Sequence, residues 1–354
     1  MRSELVGKVQ TVLGLIDPDS LGMTLVHEHL CMSAELLFIE PAEPSEKKLA
    51  REPIRLDNLY WVRVNCFNNL DTLLAADEDV TIKEVMMYKS AGGRTIVEVT
   101  VPGFPRVPLT LARIAKATGV NIVMSTGYHM GNTHPPELAA KTEEEIAEGM
   151  VREITVGIEN TGVRAGFIKI AASVPFSEAE RKVLRTAAAV QRQTGASIGL
   201  HPSYGDDLVM ENVNVLGDAG VDFSRTIIYH VDGRGLSQST IRKILATGCY
   251  VGYDHFGLVD PFSPLGRIDD VPSDTQRVDD VIQLIGEGYL DQIIVADDVG
   301  FKHRLVTYGG YGYAHIPRDI VPLMRLKGIS QKELDALLVE NPKRLLPFVC
   351  PVNR

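Results

Sequence analysis

Short apolar segments rich in β-branched residues alternate along this chain with stretches of helical periodicity, and no other feature of the sequence restricts the fold as strongly. This alternation predicts repeated βα units around a parallel sheet. Eight candidate strands are found, at residues 23–29, 95–100, 121–126, 166–171, 197–201, 226–231, 249–254 and 292–298. Eight units favour a closed barrel over an open sheet.

The segments between the strands carry apolar residues at three- and four-residue spacings, which predicts helices. These helices are expected at residues 109–118, 143–160, 178–194, 237–247 and 274–288. A last helix, at residues 331–339, follows Ser330 with Glu333 three positions later, the pattern of a capping box. The long segment from Cys31 to Gly93 is interpreted as an insertion that builds part of an active-site rim. The expected fold is a single α/β domain over residues 1–354, a (β/α)₈ TIM barrel with a long insertion after the first strand.

The charge balance limits the partners that this chain can bind. It has 36 Lys and Arg against 46 Asp and Glu residues, a net charge of -10, and no basic stripe that would suit nucleic acid. Charges interrupt the first 24 residues, and no segment approaches the roughly 18 apolar residues of a membrane helix. The four cysteines form no CxxC pair, so no thiolate zinc site is predicted. We therefore expect a cytoplasmic protein, a homodimer, with a small-molecule substrate.

Polar side chains stand where the predicted apolar strands end. Barrel enzymes place their catalytic residues at the carboxyl ends of the strands. The sequence therefore predicts chemistry at that face. The six residues concerned are His27, His29, Lys169, His201, His230 and Asp298.

The four histidines of this set suggest metal ligands. His27 and His29 are two positions apart, so on a strand both point to the same face and can chelate one ion, while Glu28 faces the other way. An isolated pair of this kind could equally be two hydrogen-bonded histidines at a turn. His201 and His230 each close an apolar strand, where a lone histidine is more often structural. Two of them on consecutive strands, beside the first pair, favour metal coordination.

Lys169 lies inside an apolar strand, where an unpaired ammonium is costly. Burial lowers the pKa of a lysine, and the neutral amine reacts with carbon dioxide to give a carbamate, an anion whose two oxygens can bridge two cations. An ion-paired lysine is the alternative. Asp298 can bind metal and accept a proton, and its alternative role is a helix N-cap. Asp297 is expected to point away.

The order of these residues along the strands resembles that of the phosphotriesterase family of the amidohydrolase superfamily. The resemblance extends over essentially the whole chain. The motifs GKVQTVLG at residues 7–14 and TLVHEHL at residues 24–30 look like the start of that family. The later motifs KHRL (302–305), GGYGYAH (309–315) and ENP (340–342) look most like its phosphotriesterase-related branch.

The resemblance implies a binuclear metal centre with two divalent ions, expected to be zinc. One ion would be held by His27, His29 and Asp298, and the other by His201 and His230. Lys169, as its carbamate, would bridge them. Some members of the related branch carry glutamate at the bridging position, and either group provides a bridging carboxylate.

The resemblance also implies a proton relay and a substrate pocket, and this chain departs from the family in both. The relay would run from Asp298 through His255 to Asp232, although Asp232 stands one residue out of register. Many members have an aromatic residue in place of His129. Substrate contacts are expected from the loops after the strands, at residues 299–315 and from Tyr128, His129, Tyr253 and Phe256.

The expected activity is hydrolysis. Two ions would lower the pKa of a bridging water from about 16 toward 7, and the resulting hydroxide would attack while Asp298 takes the proton. Such a centre does not itself distinguish lactone, ester, amide or phosphoester bonds. We expect a lactone or carboxyl ester as substrate, with an N-acyl amide or a phosphotriester as alternatives. The non-enzymatic alternative is a catalytically dead barrel that only binds ligands.

Overall fold

The computed structural model describes residues 4–258 and 271–352. An antiparallel hairpin of β1 (Val9–Thr11) and β2 (Gly14–Ile16) precedes eight parallel strands arranged in sequence order. Those eight are β3 (Met23–Glu28), β4 (Gly93–Glu98), β5 (Asn121–Tyr128), β6 (Phe167–Ala171), β7 (Ile198–His201), β8 (Thr226–Ile228), β9 (Tyr250–Tyr253) and β10 (Ile293–Val295). All eight predicted strands are confirmed, with ends that differ by up to three residues.

Contacts between the last and the first strand close the sheet into a TIM barrel. The Asp298 amide donates to the carbonyl oxygen of His27 at 3.2 Å. The buried Glu28 carboxylate accepts from the amides of Asp297 at 2.8 Å and Val299 at 2.9 Å. Glu28 therefore faces away from its histidine neighbours, as predicted, and fastens the end of β10.

Alternate residues of the strands build two separate apolar layers. One set points into the barrel and packs together, with Val9 of the hairpin and Leu346 in the same cluster. It includes Val26, Val97, Val123, Phe167, Ile227 and Ile294. Their neighbours, among them Leu25, Ile96, Ile122 and Ile168, pack against the surrounding helices. Because both faces of each strand are buried, the strands read as almost continuous apolar runs.

Thirteen described helices surround the barrel, and six of them begin at a residue whose side chain accepts from an amide of the first turn. The first seven are α1 (Pro44–Leu49), α2 (Leu59–Val64), α3 (Leu70–Leu73), α4 (Glu78–Ser90), α5 (Pro108–Thr118), α6 (Glu143–Thr155) and α7 (Glu178–Thr194). The others are α8 (Asp206–Asp218), α9 (Gln238–Ala246), α10 (Asp274–Gly286), α11 (Val321–Leu326), α12 (Gln331–Asp335) and α13 (Asn341–Leu345). The predicted capping box of Ser330 and Glu333 is confirmed. No described helix has the length and apolar character needed to span a membrane.

Two helix predictions needed correction, and helices α1 to α4 and α11 were missed besides α8. The helix expected at residues 143–160 ends at Thr155, because the chain then passes through positive φ angles at Gly157 (144°), Glu159 (49°) and Asn160 (60°). The helix expected to end at residue 339 continues through a wider turn, Ala336–Glu340, into α13. Helix α8 was not predicted.

The segment between β3 and β4 is only partly an insertion. Its last helix, α4, is the regular helix between the first two barrel strands: the Tyr88 hydroxyl donates to the carbonyl oxygens of Met23 at 2.9 Å and Thr95 at 3.1 Å. The added part therefore comprises the short helices α1 to α3. It forms an apolar cluster with the loops after β4 and β10, made of Ala34, Leu73 and Phe104 with Met32, Leu37, Phe38, Phe67 and Phe301 around them.

Candidate metal centre

Two strands end in a backbone conformation that ordinary residues rarely adopt. His230 has a φ of 57° and Asp298 a φ of 48°, both in the left-handed region. For a residue with a side chain this conformation costs on the order of 1–2 kcal/mol. Such strain persists where the surrounding structure imposes it, and it is concentrated at functional sites.

The first group of candidate ligands lies where β3 and β10 end. The Oδ1 atom of Asp298 is 3.5 Å from Nε2 of His27 and 3.4 Å from Nε2 of His29. The Nδ1 atom of His29 lies 2.8 Å from the Thr100 hydroxyl, which in turn donates to the buried Glu98 carboxylate. This chain of bonds keeps the Nε2 lone pair of His29 directed at the centre.

The second group consists of His201 and His230. The Nδ1 atom of His201 is 2.9 Å from Nε2 of His230, so the two nitrogens converge on one point. The imidazole of His230 is 1% exposed. The structure therefore brings the four predicted histidines to the carboxyl end of the barrel in two groups.

Lys169 lies between these groups. Its Nζ atom is 3.0 Å from Nε2 of His27 and 4.6 Å from the centroid of the Tyr229 ring. Burial lowers the pKa of Lys169 to about 7, although the negative charges of Asp298 and Asp254 act to raise it. A large fraction of this amine is therefore neutral near pH 7. Gly127, on the neighbouring strand, makes room for this backbone, because a Cβ atom there would lie 2.0 Å from the Lys169 carbonyl oxygen.

Sequence reasoning did not assign a role to Asp254, which connects the two groups. Its Oδ2 atom lies 2.8 Å from Nδ1 of His27, and its Oδ1 atom lies 2.9 Å from Nδ1 of His230. The His230 amide also donates to Oδ1 at 2.9 Å. Burial raises the pKa of Asp254, and the imidazoles are the donors when it is ionised: both then carry their proton on Nδ1 and present Nε2 to the centre. Asp254 ends a predicted strand, so the rule that found the other residues also applies to it.

The predicted relay residues lie next to one another in the order Asp298, His255 and Asp232. Nε2 of His255 is 3.8 Å from Oδ2 of Asp298, and Nδ1 of His255 is 3.4 Å from Oδ1 of Asp232. Arg277 holds the other oxygen of Asp232 at 2.8 Å. Burial lowers the pKa of His255 to about 4, so the imidazole is neutral at pH 7. The suspected shift of register therefore does not separate Asp232 from His255.

Three of the four residues predicted to contact the substrate lie outside the candidate metal centre. Tyr253 and Phe256 are fully buried in the layer between barrel and helices. Tyr128 packs against the same layer, and its ring lies near His134. Tyr128 and Tyr253 point outward because strand residues alternate between the faces. His129 points inward, with its ring centroid 5.0 Å from that of His201.

The loop at residues 299–315 contacts the first group through Arg304 and Tyr313, whereas His315 lies outside it. The Tyr313 hydroxyl donates to the carbonyl oxygen of His29 at 2.8 Å. Arg304, which was not predicted, donates to the carbonyl oxygens of Asp297 at 2.8 Å and Asp298 at 3.2 Å, and so fixes the end of β10. His315 contacts Asp274 and Asp319 outside the centre.

These donors suit divalent metal ions. The ligand atoms of His27, His29 and Asp298 all lie within 4.8 Å of one another, as do those of His230, His255 and Asp298. Imidazole nitrogens with carboxylate oxygens, oriented by outer carboxylates, are a common ligand set for zinc and related ions. The residues present thus fit a divalent ion at the first group, and His201 and His230, which face each other, are the candidate ligands of a second.

Comparison with known proteins identifies the family. A model of the phosphotriesterase family matches residues 7–346. The chain belongs to this family. It is 40% identical over 346 residues to a phosphotriesterase-related protein of Nematostella vectensis, covering 97% of this chain and 99% of that protein. It is 39% identical over 348 residues to the N-acetyltaurine hydrolase of Homo sapiens, covering 98% and 99%.

A solved structure has the same fold. The crystal structure of a resiniferatoxin-binding protein from Rhodobacter sphaeroides superposes with a TM-score of 0.89 at 30% identity, covering 98% of each chain. The human relative is a hydrolase, and this chain is a hydrolase of the phosphotriesterase family.

Proposed function

We propose that this phosphotriesterase-family chain is a binuclear, zinc-dependent hydrolase of N-acyl amides. The observation that carries the proposal is the convergence of six predicted side chains on one end of the barrel. His27, His29 and Asp298 would hold one ion, and His201 and His230 the other. Lys169, as its carbamate, would bridge them.

When bound, two divalent ions supply an activated water and polarise the oxygen of the scissile bond. Asp298 acts as the general base: burial raises its pKa, but the facing imidazoles of His27 and His29 hold that pKa well below its usual range, and one carboxylate oxygen faces His255. The neutral imidazole of His255 then receives the proton from Asp298, and Asp232 stabilises the resulting imidazolium. The proton thus moves away from the reacting bond toward Asp232.

An N-acyl amide is the preferred substrate class because the human relative, similar over nearly the whole chain, is an N-acetyltaurine hydrolase. Lactones and carboxyl esters, which the sequence alone favoured, need the same nucleophile and the same stabilisation of negative charge. A phosphotriester needs these groups as well. The preference among these substrates therefore comes from the relatives.

Two measurements test the proposal. Metal analysis of purified protein is expected to give about two ions per chain, and a chain that binds none would be a scaffold rather than this enzyme. A panel of N-acyl amino acids, N-acyl aminosulfonates, lactones and aryl phosphotriesters is expected to give the highest kcat/KM with an N-acyl compound. A preference for lactones or phosphotriesters would refute the proposed substrate class.

A further inference from the structure

Arg234, in the loop between β8 and α9, reaches into the metal centre. Its Nη2 atom lies 2.5 Å from Nε2 of His201. The loop backbone is held on two sides: the Arg234 carbonyl oxygen accepts from the Gly205 amide at 2.9 Å, and a Cβ atom at Gly233 would lie 2.4 Å from Nδ1 of His255. The fold therefore keeps this guanidinium at the mouth of the centre.

The hydrogen bonds around His201 determine where its proton lies. A guanidinium has only donors, so Nε2 of His201 must be the acceptor and the proton must lie on Nδ1. That Nδ1 atom faces Nε2 of His230, 2.9 Å away, which is an acceptor because the Nδ1–H of His230 donates to Asp254. The hydrogen bonds from Arg234 through His201 and His230 to Asp254 are therefore all donated in the same direction.

A metal ion between His201 and His230 is incompatible with this arrangement. If Nδ1 of His201 served as the ligand, the proton of this neutral imidazole would lie on Nε2. The Nε2–H group and the guanidinium would then both be donors, so their contact must break. An ion held by His201 and His230 would therefore displace the Arg234 guanidinium from Nε2 of His201, while the bond from the Gly205 amide would keep the loop backbone in place.

We propose that Arg234 of the metal-loaded protein binds the anionic group of the substrate, a sulfonate or carboxylate at the end of an N-acyl compound. This proposal rests on the proposed function and adds its specificity-determining residue. The planar guanidinium binds two oxygens of such a group at once, which gives both affinity and orientation. A neutral lactone or phosphotriester offers no matching anion.

The test measures binding without turnover. The probe is the ketone isostere of N-acetyltaurine, in which a methylene replaces the amide N–H, and its neutral partner is the ketone of the same chain without the sulfonate. Calorimetry on the zinc-loaded protein compares wild type, Arg234→Met and Arg234→Lys. Arg325→Met is the control, because Arg325 is an exposed arginine on α11.

We expect Arg234→Met to weaken binding of the sulfonate ketone about 10- to 100-fold and Arg234→Lys to weaken it less, because lysine keeps the charge but not the fork. Arg325→Met should bind like wild type. Equal affinity of wild type and Arg234→Met for the sulfonate ketone would overturn the proposal. It would also be overturned if wild type bound the neutral ketone as tightly as the sulfonate ketone.

Metal affinity gives a second readout. Since the guanidinium contact with His201 must break when the ion binds, Arg234→Met should bind zinc at least as tightly as wild type. A tenfold loss of zinc affinity would overturn the reasoning, because Arg234 would then support the ligand rather than compete with the ion. If Arg234 governs binding of the sulfonate ketone but no N-acyl compound is hydrolysed, the proposed function fails while this inference stands.

Discussion

Replacement of Asp254 by asparagine tests the most connected residue of the centre. The carboxylate accepts a hydrogen bond from Nδ1–H of His27 on one oxygen, and hydrogen bonds from Nδ1–H and the amide N–H of His230 on the other. Asparagine has nearly the same shape but only one acceptor oxygen. That oxygen should turn toward His230, which offers two donors, and the amide NH₂ then faces His27.

The substitution should therefore change the tautomer of one histidine. With a donor opposite Nδ1, His27 must carry its proton on Nε2, the atom that faces Lys169 at 3.0 Å and Asp298 at 3.5 Å. Loss of such an outer partner typically lowers metal affinity 10- to 100-fold, which is about 1.4–2.8 kcal/mol. We expect His27 and His29 to bind their ion less tightly, and His201 and His230 to retain theirs.

The assay is equilibrium dialysis against zinc buffered by a chelator, followed by metal analysis. At a free zinc concentration that just saturates wild type, Asp254→Asn should hold about one ion instead of two. The control is Asp319→Asn, which removes a carboxylate 2.8 Å from Nδ1 of His315 outside the centre, and should hold both. A folded Asp254→Asn protein that binds both ions with wild-type affinity would refute the assigned tautomers.

Three further substitutions test the remaining roles. Asp298→Asn should lower kcat about 100- to 10,000-fold while metal is at least partly retained, because an amide cannot accept the proton, and near-normal activity with full metal content would contradict its role as base. Lys169→Ala should lose the bridge and activity, with partial rescue by short-chain carboxylic acids. A free amine at Lys169 in an active, metal-loaded crystal structure would disprove the carbamate. His129→Phe should shift the ratio of kcat/KM between polar and apolar substrates by about 1 to 3 kcal/mol. Equal changes across the whole substrate panel would exclude His129 from selectivity.

Much of the barrel was predictable because strands and their ends are local features. Apolar runs with β-branched residues identified all eight strands, and polar residues at their ends marked His27, His29 and Lys169 before any contact was known. The alternation of strand residues also contained a signal that was not used. If Asp254 points inward, Tyr253 must point outward, where the structure places it.

Helix boundaries were less predictable because they depend on backbone conformation at single residues. The helix after β5 stops at Thr155, since Gly157 and the two residues at 159 and 160 leave the helical region. Helix α4 was assigned to an insertion because nothing local shows that Tyr88 contacts Met23 and Thr95. Only packing separates the regular helix from the added segment.

The sequence by itself determined the type of barrel, the end at which its chemistry lies and the side chains available there. These depend on periodicity and on position along a strand, which neighbouring residues define. The tertiary structure alone decided which atoms face one another. Asp254 is 227 positions from His27 in sequence, yet its carboxylate sets the tautomer of that histidine at 2.8 Å. Hydrogen-bond direction depends on distances of a few ångströms between strands, and only closure of the barrel fixes those distances.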